Sequence, residues 1–467
     1  MSGSPTSRPP VDRSRPPAAG DLRPFRFPSF EHVRLDNGLE VYAARSGRAP
    51  LARLETLMPA GAELSLGHSG LAGLHGDLLD EGSARHSAME LAMAVEALGG
   101  FLSTGAGWNV AYVDLGLLAQ HLDAGLELMT EIVRTPTFPE HELERLRRLR
   151  LTELLRRKDQ PQHLAEQWID ALIYRDTVYG QGLIGQQKSL EGFTLDDIQG
   201  FYRQHVRPNG ASVIAIGDTD PDLLVAKIEQ AFGDWTAQPD VPQPEIEPHR
   251  LSNLEVHIVD RPESAQTQLV LGHHGLPRAH PDFAAVRIMN AILGGQFTSR
   301  INLNLRERHG FTYSAQSMFL FRRGPGPFRM RAAVATDVAG QAAKEMLFEV
   351  RKLREELPSD EEVRDTRHYL AGIFPYTMQT IGDLAKRLEA LAIFGLGDDY
   401  YQSYPANLLE VTPQQVLAAA QAHLHPDHMA VVAVGPAKTL RPQLEDLGPV
   451  RVVTPEEVMA GDVGDDA

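Results

Sequence analysis

The sequence predicts an α+β fold of two similar domains, each a sheet covered by helices on one side. Two observations support this prediction: an internal repeat that relates the halves of the chain, and a proline-rich segment between them. A third is the order of short apolar strands and longer helices within each half, which is typical of a layered sandwich. The chain has 467 residues, enough for two domains of ordinary size.

The repeat is a helix–proline–strand unit. Four of its residues recur at a constant separation of 218 residues: Thr194, His205, Pro208 and Gly217 return as Thr412, His423, Pro426 and Gly435. In each copy the threonine is followed three residues later by Asp197 or Gln415, a pattern that favours a helix start. Four matches at one separation indicate a duplicated domain.

The elements of the first half follow from hydrophobic spacing. Residues 39–43 and 51–57 are predicted to be adjacent strands. Residues 89–98 have helical spacing and end at Gly99 and Gly100, as a helix terminus should. A strand over 109–117, an amphipathic helix over 122–133 and a long charged helix over 140–158 complete the half.

Five segments follow from these features. Pro239, Pro242, Pro244 and Pro248 exclude a helix or a central strand and predict an extended linker. The segments are predicted as follows: a disordered tail over 1–27, a first domain over 28–235, the linker over 236–249, a second domain over 250–440 and a C-terminal tail over 441–467.

Composition excludes several classes of protein. A net charge of −17 without a large basic cluster argues against nucleic acid as a partner. The absence of cysteine excludes disulfides, thiolate metal sites and a cysteine nucleophile. No apolar run is long enough to cross a bilayer, and the N-terminus has no apolar signal segment. We therefore expect no membrane partner and a cytoplasmic location.

The order of motifs in the first half resembles a known family. A Gly70-Leu71-Ala72 turn precedes a helix, and Thr135-Pro136 with Phe138 leads into the long charged helix. This order is similar to that of the insulinase/pitrilysin-like zinc metallopeptidases, the inverzincins, and to their mitochondrial-processing-peptidase-like bacterial subgroup. The resemblance extends over nearly the whole chain after residue 28. It implies metallopeptidase-like α/β sandwich domains of the LuxS and processing-peptidase type.

The zinc motif of that family is degenerate in this chain. Active members have H-x-x-E-H on the helix after the turn, where two histidines bind zinc and the glutamate is the general base. By the resemblance, Gly73 and Asp77 stand at the histidine positions, Gly76 at the general base and Glu153 at the third ligand. Glycine can neither bind a metal nor transfer a proton. We therefore predict no intact catalytic residue and no metal at this position.

Other polar residues offer alternative metal ligands. A cluster follows the turn: His68, His75, Asp77, Asp80, Glu81 and His86. Its spacing does not put the ligands on one helix face, so we predict ordinary polar residues near a solvent-exposed helix. Glu153 is predicted to form an i,i+3 ion pair with a neighbouring arginine. His273, His274 and His280 are predicted to be surface or loop histidines.

A second motif of the family is intact. The stretch from Gly294 to Ser314 is similar to its Gly-Gly…Ser-Arg…Leu-Arg-Glu-x-x-Gly-x-x-Tyr pattern. In the family, an arginine and a tyrosine seven residues apart face the substrate at the opposite zinc site, and the resemblance gives these roles to Arg306 and Tyr313. A guanidinium and a phenol can hold a peptide carbonyl and stabilise an oxyanion. The alternative is that Arg306 pairs with a nearby glutamate and Tyr313 caps a strand.

The resemblance implies a non-catalytic subunit. Such a chain would pair with a zinc-bearing homologous peptidase subunit, or with a second copy of itself, to enclose a peptide substrate. Zinc would be on the partner, and this chain would bind no cofactor of its own. Two alternatives stay open: a purely structural subunit like the core proteins of respiratory complexes, and an active metallopeptidase with an altered metal site.

Overall fold

Two six-stranded mixed sheets organise the protein in a computed structural model, which describes residues 20, 22–47, 49–175, 177–239, 242–461 and 463–464. The first sheet consists of β1 (Phe30–Arg34), β2 (Glu40–Arg45), β3 (Leu51–Met58), β4 (Phe101–Ala106), β5 (Ala111–Leu118) and β6 (Ser212–Gly217), in the order β1-β2-β6-β3-β5-β4. The second consists of β7 (Glu255–Asp260), β8 (Gln266–His274), β9 (Ala315–Phe319), β10 (Pro327–Ala335), β11 (Ala430–Gly435) and β12 (Val450–Val453), in the order β12-β7-β11-β8-β10-β9. The predicted α+β class is confirmed.

Helices connect and cover the strands. The helices of the first half are α1 (Leu71–Asp77), α2 (Ala88–Ala97), α3 (Leu122–Arg134), α4 (Glu140–Lys158), α5 (Pro161–Tyr174), α6 (Gln187–Gly192), α7 (Leu195–His205) and α8 (Pro221–Phe232). Those of the second half are α9 (Phe283–Asn290), α10 (Arg300–Asn302), α11 (Ala339–Glu355), α12 (Asp360–Ile373), α13 (Ile381–Phe394), α14 (Tyr400–Leu409), α15 (Pro413–His423), α16 (Ala437–Leu444) and α17 (Pro455–Ala460). Two π-helical turns, Ala291–Gly295 and Leu303–Arg308, follow α9 and α10. Among the described residues, no helix has both the length and the apolar character needed to cross a membrane.

The repeat relates the central elements of the two halves. Helices α7 and α15 begin at Thr194 and Thr412, and in both the threonine and the third helical residue form reciprocal capping hydrogen bonds. Each helix leads to a fully buried strand, β6 or β11, in the same place in its sheet. The predicted helix–proline–strand repeat is therefore confirmed.

Strand β6 separates two strands that the sequence predicted to be neighbours. It pairs parallel with β2, Val41 opposite Val213, and antiparallel with β3, Leu54 opposite Ala215. The prediction that β2 and β3 pair directly is wrong. The physical reason is that β6 is apolar on both faces and is stable only between two other strands.

Each sheet is covered on both faces, so the prediction of one-sided cover is wrong. In the first sheet, α1, α3 and α7 pack on one face, while Tyr42, Leu57 and Ile214 on the other contact α13 from the second half. Reciprocally, α5 from the first half packs against the second sheet. Trp168 of α5 is fully buried there, and its indole N–H donates to Nδ1 of His257 at 3.1 Å. The two halves therefore exchange helices.

The ends of the predicted domains differ from the structure in two places. Strand β12 and helix α17 lie after residue 440, so the second sheet extends into the predicted C-terminal tail. Phe27, in the predicted N-terminal tail, is buried and stacks on Tyr401 with 5.4 Å between ring centroids. Residues 1–19 and 21 of that tail lie outside the described residues. In the predicted linker, residues 236–239 and 242–249 form neither helix nor strand.

Candidate functional site

Helix α1 positions Gly73, Gly76 and Asp77. It begins after Gly70, whose φ of +92° lies in the left-handed region, and it is buried from Leu71 to Gly76. It packs on β4, α4 and α7. The predicted solvent-exposed helix is therefore wrong, because apolar residues lie all round this helix and draw it into the core.

Gly76 lies where α1 and β4 meet backbone to backbone. A Cβ atom at this position would be 2.4 Å from the carbonyl carbon of Gly105 and 2.6 Å from the backbone nitrogen of Ala106. Real side chains do not come so close to backbone atoms, and the backbone of β4 cannot rotate out of the way. The position aligned with the general base therefore has no room for any side chain.

Gly73 faces the side chain of Arg150 from α4. A Cβ atom at Gly73 would lie 2.8 Å from Nη1 and 2.9 Å from Nη2 of Arg150. The same guanidinium donates from Nε and Nη2 to Oδ2 of Asp77, at 2.9 and 2.6 Å, and from Nη1 to the carbonyl oxygen of Ile184 at 3.3 Å. Arg150 is thus held against both α1 and the loop that contains Ile184.

The arginine changes what the degenerate site can hold. The protein's own cation fills the space beside Gly73 and neutralises Asp77, the one carboxylate on α1 that is aligned with a zinc ligand. Two charge-assisted hydrogen bonds make this pairing strong. A metal ion bound by Asp77 would have to displace the guanidinium and would be repelled by it. The residues present therefore do not fit zinc.

Glu153 lies on α4 three residues after Arg150, and other arginines bind its carboxylate. Arg156 donates to its Oε2 at 2.7 Å and Arg157 to its Oε1 at 2.9 Å. These hydrogen bonds lower the pKa of Glu153 to about 2. The predicted i,i+3 ion pair is present, with an i,i+4 pair beside it.

His75 is a second departure from the predicted exposed cluster. Its side chain is fully buried on α1, in contact with the rings of Phe138, Phe201 and Tyr202. Neither ring nitrogen has a hydrogen-bond partner. Burial, with His205 nearby, lowers the pKa of His75 to about 3. The imidazole is therefore neutral and surrounded by apolar groups, and it is not a metal ligand.

Replacing His75 by leucine is expected to stabilise the protein, by about 1 kcal/mol at pH 7, because a buried polar group without partners is removed. The gain should grow as the pH falls. The folded-state pKa of about 3 lies below the unfolded value of about 6.5, so the unfolded chain gains a proton first and wild-type stability falls with pH from about 6.5. At pH 5 this loss is about 2 kcal/mol. Urea unfolding at both pH values measures it, and exposed His141→Leu, the control, should show neither effect.

His273 is buried too, whereas the sequence predicted a surface or loop position. It ends β8 with 1% of its surface exposed. Its Nδ1 donates to the carbonyl oxygen of His274 at 2.6 Å and its Nε2 accepts from the backbone N–H of His425 at 3.1 Å. Both nitrogens are therefore occupied by backbone groups. His273 joins β8 to the segment after α15 and has no lone pair left for a metal.

Arg306 and Tyr313 lie together on the surface of the second half. The guanidinium of Arg306 lies 5.0 Å from the ring centroid of Tyr313 and 4.7 Å from that of Phe297. Tyr313 is 85% exposed and Phe297 is 66% exposed. Arg306 also pairs with Glu307, Nε to Oε1 at 3.3 Å, as the alternative interpretation predicted. The Tyr313 side chain, by contrast, projects from the chain just before β9 and is not buried against it.

Two residues of these sites were missed by the sequence analysis. Arg150 was one of several arginines on a charged helix, and only the crossing of α4 over α1 gives it a role. Phe297 lies within the intact motif of the second half, between Gly295 and Ser299. A large apolar ring among glycines and polar residues is a sequence pattern that can indicate an exposed aromatic residue. In the structure this ring is exposed and lies against the guanidinium of Arg306.

Comparison with known proteins agrees with this architecture. The family model "Insulinase (Peptidase family M16)" matches residues 67–187, and the model "Peptidase M16 inactive domain" matches residues 192–370. A solved structure of a peptidase M16 inactive domain from Pseudomonas fluorescens superposes with a TM-score of 0.81 at 26% identity, covering 87% of this chain and 98% of that one.

Curated relatives are more distant in sequence. An uncharacterized zinc protease of Rickettsia felis is 22% identical over 72% of this chain and 81% of its own length. A probable mitochondrial-processing peptidase subunit beta of Arabidopsis thaliana is 20% identical over 88% of this chain and 80% of its own length. Both similarities extend over most of the two-sheet architecture.

Proposed function

This chain belongs to the peptidase M16 family, and we propose that it is a non-catalytic subunit that pairs with a zinc-bearing homologue. The pair would form a chamber that degrades or processes peptides. This chain would supply contacts to the substrate, and the partner would supply zinc and the general base. The inactive domain of Pseudomonas fluorescens, similar over nearly its whole length, supports a role without catalysis of its own.

The first support is the state of the degenerate motif. Gly76 has no space for a general base, and Arg150 fills the place beside Gly73 while it neutralises Asp77. A chain that binds no catalytic zinc can contribute to peptide hydrolysis only through a site on another chain. The same contacts argue against the alternative of an active enzyme with an altered metal site.

The observation on which the proposal chiefly depends is the exposed pair of Arg306 and Tyr313. Tyr313 is 85% exposed, although a tyrosine ring usually buries much of its surface. A guanidinium held between two rings is positioned without a buried counter-ion, so it can donate to a carbonyl or an oxyanion that another chain presents. A purely structural subunit gains nothing from leaving both side chains on the surface.

Peptide binding would use the open edges of the sheets. Strands β4 and β9 are edge strands, one in each sheet, and their unpaired backbone groups can bind an extended peptide as an additional strand. Strand β4 also borders α1, so a peptide on this edge would run past the degenerate motif. The partner would be a zinc-bearing homologue or a second copy of this chain. We also propose a cytoplasmic location.

Reconstitution tests the proposal. The chain alone, supplied with zinc, is expected to hydrolyse no peptide, and mixing it with a zinc-bearing homologue of similar length should produce activity that neither chain has alone. A homologue whose own H-x-x-E-H glutamate is changed to glutamine is the control and should give an inactive mixture. Zinc-dependent peptidase activity of this chain alone, lost in Asp77→Asn, would instead establish the altered-site alternative.

A further inference from the structure

Three side chains outside the degenerate motif form a compact group of metal ligands: His280, Asp282 and His423. One ligand atom from each lies within 4.8 Å of the other two. Nε2 of His423 is 2.7 Å from Oδ2 of Asp282, and Nδ1 of His280 is 3.9 Å from the same oxygen. Nδ1 of His280 also accepts from the backbone N–H of Asp282 at 3.1 Å, so a metal at this nitrogen would replace that hydrogen bond. We infer that this group binds a divalent first-row transition cation, for which zinc is the probe.

The donor set fits such a cation. Two imidazoles and a carboxylate are ligands that zinc and its neighbours accept, and three protein ligands leave a fourth position for water or another donor. Tetrahedral zinc holds its ligand atoms about 3.3 Å apart. The His423–Asp282 pair, at 2.7 Å, must therefore open slightly, and the other pairs must close by at most about 1.5 Å. Half-buried and exposed side chains can make that movement by small rotations.

The group lies at the ends of two helices that pack together. His280 and Asp282 immediately precede α9, and His423 is the last residue of α15, a helix that packs against α9. The carboxylate of Asp282 makes no capping hydrogen bond to α9, so it is available to a metal. His423 is on a helix and Asp282 is directly before one, so the packing of α9 against α15 limits how far these two ligands can separate. A bound cation would join the start of α9 to the end of α15.

The group also faces an unusual cavity. His280 and His423 line a space of about 760 Å³ together with His249, His274 and His425. The guanidinium of Arg250 also lines this space, so its positive charge acts against a cation there and the two imidazoles and the carboxylate of the group must outweigh it. With His249, His274 and His425 lining the same space, the cavity is rich in imidazole nitrogens, which are donors that zinc accepts.

Zinc titration of the full chain, stripped with a chelator and followed by calorimetry at pH 7.5, tests this site. We expect one zinc per chain, weaker binding at pH 6 because protons compete for the ligands, and a melting temperature that rises with zinc. His423→Gln and Asp282→Asn should each weaken binding at least about tenfold, the smallest loss that removal of even an outer hydrogen-bond partner causes. Circular dichroism checks that both variants fold.

Two control variants separate this site from other histidines and carboxylates. His141→Gln removes an exposed histidine that also lies beside a carboxylate, Nε2 3.4 Å from Glu142, and should bind zinc as the wild type does. Asp77→Asn alters the degenerate motif and should also leave binding unchanged. A wild-type chain that binds no zinc, or folded His423→Gln and Asp282→Asn chains that bind it unweakened, would overturn the assignment. The result is independent of the reconstitution experiment, which measures peptide hydrolysis.

Discussion

Arg306→Ala is expected to lower kcat/KM of the reconstituted peptidase about 100-fold, the loss that follows removal of one oxyanion donor. The guanidinium is held over two exposed rings, Phe297 and Tyr313, so it reaches a substrate without reorganising. Because the contact strengthens as the oxyanion forms, most of the loss should appear in kcat. Tyr313→Phe, which keeps the ring and removes the hydroxyl, should cause a smaller loss. Steady-state hydrolysis of a fluorogenic peptide measures both.

The matched control is Arg308→Ala. Arg308 is exposed on the same π-helical turn as Arg306, so its removal changes the surface charge equally. It should leave kcat/KM within about twofold, and both variants should unfold within about 0.5 kcal/mol of the wild type, as surface changes do. If Arg306→Ala assembles with the partner and turns over substrate at the wild-type rate, the substrate-contact role is excluded.

The helix starts and the duplicated unit could be predicted because their determinants are local. Thr194 and Thr412 each cap a helix through a residue three positions on, and that pattern is visible in sequence alone. The long helix α4 has the predicted bounds, since charged residues and leucines alternate at helical spacing throughout. Local propensity and structure agree in these elements.

The exchange of α5 and α13 between the halves could not be predicted. Hydrophobic spacing says that a helix has a buried face, and it does not say which sheet covers that face. Trp168 and Leu172 of α5 are fully buried against a sheet whose strands lie far along the chain. The same limit explains why helices were predicted on only one face of each sheet, and why β2 rather than β6 was predicted to pair with β3. The helix exchange, the cover of both sheet faces and the strand order all depend on contacts between residues that are far apart in the sequence.

The candidate site was predicted in part for a related reason. Gly73 and Gly76 could be identified by their places in a motif, and a glycine's lack of chemistry needs no structure. The role of Arg150 depends on how α4 crosses α1, and its sequence neighbours indicated only a solvated charged face. The exposed position predicted for His75 is wrong for the same reason, because the apolar residues on both sides of it draw α1 into the core despite its polar side chain.

Gly76→Ala is expected to lower the free energy of unfolding by about 3 kcal/mol, the upper part of the range for overpacked interiors. The added methyl carbon would lie 2.4 Å from the carbonyl carbon of Gly105, so α1 and β4 must separate. Gly200→Ala is the matched control, because Gly200 lies inside helix α7 with no atom within 4 Å of its added carbon. That change should stabilise the protein by about 0.5–1 kcal/mol. Urea unfolding of both variants measures the difference.

The change in unfolding free energy of Gly76→Ala also shows whether substitutions on α1 could give this chain a catalytic site. If Gly76→Ala unfolds at the same urea concentration as Gly200→Ala, then α1 and β4 are not in backbone contact and a general base has room. If it is destabilised as expected, a glutamate at position 76 costs at least as much. Histidine at position 73 must in addition displace the guanidinium of Arg150. Restoring the motif residues alone would then produce an unstable chain without zinc at α1, because backbone atoms of β4 and the guanidinium of Arg150 occupy the space that those side chains need.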